Sequence, residues 1–189
     1  MANKTIKITL FQNSMWSDDT VDNDTDLVVT HNGVDTIIQS DINTSEVKTG
    51  DVVKQKVMDL DLTKDTMFSL KTYLTSPGGD GFGSEYQITV AGSSTGTHTI
   101  SGRFTEYADT SVAEQFFEEA IPTPTTTFMI NGVVKKVISP TDWGWNSLGS
   151  YDTAWNGTDT LQIAYNVDQQ NTIDSTINMG MNVRIEIIS

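Results

Sequence analysis

The chain has 189 residues, a formal net charge of -14 and no cysteine. That length fits one domain with a hydrophobic core that needs no covalent staples. Without cysteine there is no disulfide framework and no zinc-thiolate site, and the acidity opposes binding of phosphate backbones by the bulk surface.

The N-terminal run MANKTIKITLF lacks the apolar stretch of a signal peptide, and no segment approaches the apolar length of a membrane span. The expectation is synthesis without a signal peptide in a cytoplasm, with a virion as a candidate destination. Within that run Ile6, Ile8 and Leu10 alternate with Lys7 and Thr9, the pattern of a half-buried strand.

The stretch WSDDTVDNDTDLVV follows, with Asp18, Asp19, Asp22, Asp24 and Asp26. Asp22, Asp24 and Asp26 form D-x-D-x-D, which in extended chain sends three carboxylates to one side. Calcium favours such an oxygen cluster. An EF-hand is excluded, because Leu27 stands where its glycine belongs and Gly33 where its bidentate glutamate belongs. Over about eight residues, DNDTDLVV is similar to the calcium loop of some bacterial calcium-mediated lectins, whose pattern is near D-N-D-x-N-D followed by apolar residues. One residue is missing here, which puts Asp26 out of register. The plain alternative is a solvated loop leading into a strand at Leu27.

LVVTHNGVDTII places Asn32-Gly33 between two apolar runs, the signature of a type I′ hairpin. A long loop is expected from Ser40 to Gly50. TMFSLKTYLTS fits a strand through Phe68, Leu70 and Leu74 or a helix through Met67, Leu70 and Leu74, with strand favoured by its strand neighbours, and SPGGDGFGS (Ser76 to Ser84) reads as a mobile glycine-rich loop. EYQITVAGSSTGTHTISGRF predicts a hairpin with a longer loop around Ser93 to Gly96. TSVAEQFFEEAIP spaces Ala113, Phe116, Phe117 and Ala120 at helical intervals. With Ser111 and Glu114 as a capping box and Pro122 beyond the end, it predicts a short amphipathic helix over about 112–121. Pro122 and Pro124 then begin an extended connector.

FMINGVVKKVI repeats the hairpin signature at Asn131-Gly132, and TLQIAYNVD predicts one more strand. Between them, DWGWNSLGSYDTAWNG holds Trp143, Trp145, Tyr151 and Trp155 among Gly, Asn, Ser and Asp. Aromatic faces beside such groups suit a sugar platform or a protein interface, and equally suit packing at the rim of a core. Ile177, Met179, Met181, Val183, Ile185 and Ile187 keep period two through the last strand. Its length suits a central position, Gly180 suits a bulge or close approach, and its likeness to the first strand suggests that the two pair or lie in one sheet.

No P-loop, G-x-S-x-G or H-E-x-x-H is present. GGDGFG has the glycines of a phosphate loop without its helix and lysine. His31 and His98 read as ordinary turn or sheet residues, and carboxylate pairs for glycoside hydrolysis have no distinguishing spacing. The expected fold is all-β: one antiparallel β-sandwich, jelly-roll-like, spanning 1–189 with the one short α-helix. The expected function is non-enzymatic: a virion-type structural subunit (phage tail, decoration or capsid-associated) that forms homo-oligomers or joins other structural subunits, with sheet edges as one route to a ring or tube. The alternative is a calcium-assisted carbohydrate-binding module using Asp18, Asp19, Asp22, Asp24 and Asp26 with the tryptophan region.

Overall fold

The computed structural model describes residues 3–14, 22–39, 52–75, 81–108, 125–138, 145–154, 160–169 and 177–189. They form twelve strands: β1 (Lys4–Ser14), β2 (Asp22–His31), β3 (Val34–Gln39), β4 (Val52–Leu60), β5 (Thr66–Thr75), β6 (Gly81–Val90), β7 (His98–Ala108), β8 (Thr125–Ile130), β9 (Val133–Ile138), β10 (Asn146–Thr153), β11 (Thr160–Gln169) and β12 (Ile177–Ile187). The helix expected over about 112–121 and the loop expected from Ser40 to Gly50 lie outside the described residues.

The strands form two six-stranded antiparallel sheets. Sheet A runs β4-β1-β12-β11-β8-β9 and sheet B runs β10-β7-β6-β5-β2-β3. The chain changes sheet after β1, β3, β4, β7, β9 and β10, and its other connections stay within a sheet. A shared core joins the inner faces: Ile6, Ile8, Leu10, Phe128 and Ile185 from sheet A meet Leu27, Val29, Phe68, Tyr86 and Phe104 from sheet B. Period-two alternation puts these side chains on one side of each strand.

The first and last strands pair, from Ile6 opposite Ile187 to Ser14 opposite Gly180, and β12 lies centrally between β1 and β11. Gly180 sits where that pairing slips by a residue, between Gln12 and Ser14. Both Asn-Gly pairs make the expected turns, with positive φ at Asn32 (50°), Gly33 (78°), Asn131 (53°) and Gly132 (73°). The hairpin loop before β7 and the strand through Phe68 and Leu70 are also present.

Two expectations change. Gly81 to Ser84 are not loop: they open β6, paired with β5 from Gly81 and with β7 from Phe82. Glycine is a weak strand former, but two flanking strands supply a complete ladder. Asp22, Asp24 and Asp26 likewise lie within β2, opposite Thr75, Tyr73 and Lys71 of β5, rather than in a loop before it. Residues 146–153 of the tryptophan region form β10, an edge strand with little intrinsic strand preference. The edge strand β4 was also absent from the sequence pattern, because Lys54, Gln55, Lys56 and Val57 are all exposed.

All four edge strands slip one residue against their neighbours, leaving Val53, Ile38, Lys135 and Leu148 unopposed. Ile38 and Leu148 use the extra residue to turn a side chain into the core. Leu148 fills the space above Gly102, where a Cβ would come within 3.0 Å of the Leu148 Cβ. On sheet A, Lys54 and Lys56 stand opposite core residues Leu10 and Ile8, and Lys136 stands opposite Phe128. Inward-side lysines and bulges both disfavour pairing with a further strand.

Candidate functional site

The outer face of sheet B carries the most developed polar site among the described residues. Cross-strand pairing lines up Val28, Ser69, Gln87, Arg103 and Ser147 across β2, β5, β6, β7 and β10. Arg103 Nε donates to Gln87 Oε1 at 2.7 Å, and Gln87 Nε2 donates to Glu85 Oε1 at 3.0 Å. Ser69 Oγ donates to the same Glu85 oxygen at 3.3 Å. The Arg103 guanidinium lies over the Trp145 ring, 3.9 Å from its centroid. Such a cation–π contact holds both planar groups in place.

Around this pair is an open groove of about 320 Å³, lined by Gln87, Thr89, Ser101, Arg103, Trp145 and Ser147, among others. Gln87 forms part of its floor and is nearly buried. Trp145 forms a wall and keeps 44% of its surface exposed. The arrangement offers an aromatic face, hydroxyls, an amide and one guanidinium to a small polar ligand.

The remaining sequence-chosen residues are distributed differently. Tyr151 leans toward the core beside Phe128, ring centroids 6.0 Å apart, and the single hydrogen of its hydroxyl is shared between the carbonyls of Lys135 (3.1 Å) and Leu148 (3.2 Å). It therefore ties β10 of sheet B to β9 of sheet A. Trp143 and Trp155 lie outside the described residues, as do Asp18 and Asp19. Asp22, Asp24 and Asp26 occupy alternate positions of β2. Four strand spacings, roughly 19 Å, separate β2 from β10, so the acidic positions and Trp145 do not form one compact site. Among the described residues no group of three or more His, Asp or Glu is placed to hold a metal ion.

Arg103, Gln87 and Glu85 were missed by the sequence pattern. Each is a polar residue at an outer-face position of an alternating strand. Only the hairpin register, with Gln87 opposite Arg103, reveals them as neighbours. The two histidines bond locally: His31 Nδ1 is 2.8 Å from Thr66 Oγ1, and buried His98 has its Nδ1 2.9 Å from the Ala91 carbonyl.

At one end of the sandwich the β4–β5 connection is tightly bonded. Asp61 Oδ1 accepts from Thr63 Oγ1 (2.7 Å) and from the Thr63 N–H (3.0 Å). The Thr63 hydroxyl first, and its amide second, hold the Asp61 carboxyl below the ordinary carboxylate range. Asp65 Oδ1 accepts from the Gly92 N–H at 2.7 Å, and a Cβ on Gly92 would collide with the Thr63 carbonyl. This is a structural clasp between loops.

No protein-family model matches the chain, and no curated protein sequence does. Among solved structures it is similar to the "Extended-Synaptotagmin 2, C2A- and C2B-domains", with 6% sequence identity, 99% of this chain and 92% of that chain covered, and a TM-score of 0.23. A superposition that loose leaves the sandwich to be defined by its own strand pairing.

Proposed function

We propose that the chain is a non-enzymatic structural subunit that self-assembles, of the virion type: a phage tail, decoration or capsid-associated protein. The supporting observation is where apolar surface remains. Among the described residues, every exposed large hydrophobic except Ile188 lies on an edge strand or immediately before one. β3 and β4 border one side of the sandwich, with Val34, Ile37, Val52 and Val57 exposed there; β9 and the start of β10 border the other, with Val133, Val134, Val137 and Trp145 exposed. Scattered apolar residues need no explanation, but apolar side walls are what laterally packed subunits bury. Two different walls on opposite sides suit a head-to-tail contact, which closes into a ring or extends into a tube.

The bulged edges and inward-side lysines argue that side chains, rather than a sheet continued from subunit to subunit, carry the contact. The virion-type assignment rests on composition: a cysteine-free, acidic chain without a catalytic motif. A jelly-roll-like route of the chain between sheets belongs to the same proposal. Size-exclusion chromatography with light scattering tests it. The expected result is an oligomer at micromolar concentration that Ile37→Lys or Val134→Glu reduces to a monomer with an unchanged far-ultraviolet circular dichroism spectrum, its melting temperature lower only by the lost subunit contact. A wild-type chain that stays monomeric would remove the proposal.

The second reading is a carbohydrate-binding module, favoured by the groove between Arg103 and Trp145. Calcium assistance from Asp22, Asp24 and Asp26 is a separable part of it. A cation held only by the native state must raise the melting temperature. The expectation is a rise with millimolar calcium that Asp26→Asn diminishes; an unchanged melting curve would remove calcium from the reading.

A further inference from the structure

We infer that the groove on the outer face of sheet B takes a saccharide bearing a carboxylate, with Arg103 bonding the carboxylate and Trp145 receiving a sugar ring. This deepens the second reading above and rests on it.

The chain has two arginines, and both stand on aromatic rings: Arg103 on Trp145 and Arg184 on Phe11, 4.9 Å from the ring centroid. Arg184 also has its carboxylate in place, with Nε 3.4 Å from Glu186 Oε2. Among the described residues Arg103 bonds a neutral amide instead, through Nε. Among the described residues no carboxylate lies within ion-pair distance of Arg103, and its terminal nitrogens make no hydrogen bond. A guanidinium so placed keeps the planar pair of donors that matches a carboxylate.

The donors are held in place before any ligand arrives. Gln87 is 8% exposed and is fixed by Glu85, which Ser69 bonds in turn. Trp145 restrains the guanidinium plane, so less ordering is left for binding to impose. The groove volume of about 320 Å³ falls at the small end of ligand sites. Thr89, Ser101 and Ser147 supply hydroxyls, and the exposed part of Trp145 supplies an apolar face for ring C–H groups. The net charge of -14 weighs against densely anionic ligands such as nucleic acid. A ligand with one carboxylate per ring meets one arginine and otherwise polar, uncharged lining.

The test is titration calorimetry with two matched pairs of probes: trigalacturonate against its methyl ester, and sialyllactose against its methyl ester. The expected result is preference for the acidic member of at least one pair. Arg103→Gln should weaken that acidic ligand by about tenfold or more, as loss of a charged hydrogen bond does, while leaving the neutral member unchanged. Arg103→Lys should recover only part of the loss. Trp145→Ala should weaken both members. Melting curves of each variant check that the fold is intact. If neutral and acidic members bind equally and Arg103→Gln changes neither, the carboxylate inference fails while the carbohydrate reading stands. If no probe binds at millimolar concentration, that reading fails and takes the inference with it.

Discussion

Replacing Gly102 with alanine tests how the β10 edge is sealed. The added Cβ would lie 3.0 Å from the Leu148 Cβ and 3.2 Å from its Cδ1, well inside ordinary contact. Leu148 cannot swing clear, because it is the unopposed residue of the β10 bulge and its side chain is fully buried. Overpacking of this kind costs roughly 1–3 kcal/mol. Gly102 has no positive φ, so alanine also removes some freedom from the unfolded chain, worth about 0.4–1 kcal/mol in the other direction. The net expectation is a loss of about 1–2 kcal/mol, or roughly 2–8 °C in melting temperature for a chain of this size. Leu148→Ala alone leaves a cavity and should cost about 2–5 kcal/mol. In the double variant the new Cβ occupies space that Leu148 has vacated. Its total loss should therefore fall short of the sum of the single losses by about 1 kcal/mol or more. Urea unfolding of all four proteins measures this coupling. Additive losses, within about 0.5 kcal/mol, would refute the idea that Gly102 is small to admit Leu148.

Thr126 is fully buried and its Oγ1 has no hydrogen-bond partner among the described residues; Thr126→Val keeps the shape, removes an orphan hydroxyl, and should leave stability unchanged or raise it by about 1 kcal/mol in urea unfolding. Gly33→Ala meets open space but keeps a φ of 78°, so it should cost about 1 kcal/mol by backbone strain alone; a neutral result would mean that the turn relaxes. Asp61 has a folded-state pKa depressed by its bonds to Thr63, so its contribution is present above the unfolded pKa and lost as pH falls through the lower folded value. Asp61→Asn should thus reduce stability at neutral pH and flatten the acid limb of the stability curve below about pH 4, and an acid limb identical to wild type would contradict it.

Much of the fold was legible because it rests on local rules. Period-two alternation exposed β1, β5, β11 and β12, and Asn-Gly at 32–33 and 131–132 fixed two hairpins, since few other residues accept positive φ at both turn positions. The matching patterns of the terminal strands even suggested their pairing. Failures came where a segment borrows its structure from neighbours. β10 and the first turn of β6 contain Gly, Ser and Asn, and they are strands because an adjacent strand completes their ladders. β4 hides its pattern because an edge strand is half out of the core, so its lysines stand where core residues would be expected.

The candidate site divides the same way. Trp145 was visible from the sequence as an aromatic among hydrogen-bonding groups. Its partners Arg103, Gln87 and Glu85 were not, because they lie 40 or more residues away along the chain and meet it only through β6–β7–β10 pairing. By itself the sequence determined the all-β class, the hairpin turns, the absence of cysteine chemistry and the acidity, all of which depend on composition or near neighbours. Tertiary structure alone decided that Asp22, Asp24 and Asp26 lie in a strand, that Trp145 keeps an open face beside Arg103, and that apolar surface is left along the edge strands. Those outcomes depend on register and sheet order, where a shift of one residue sends a side chain to the opposite face.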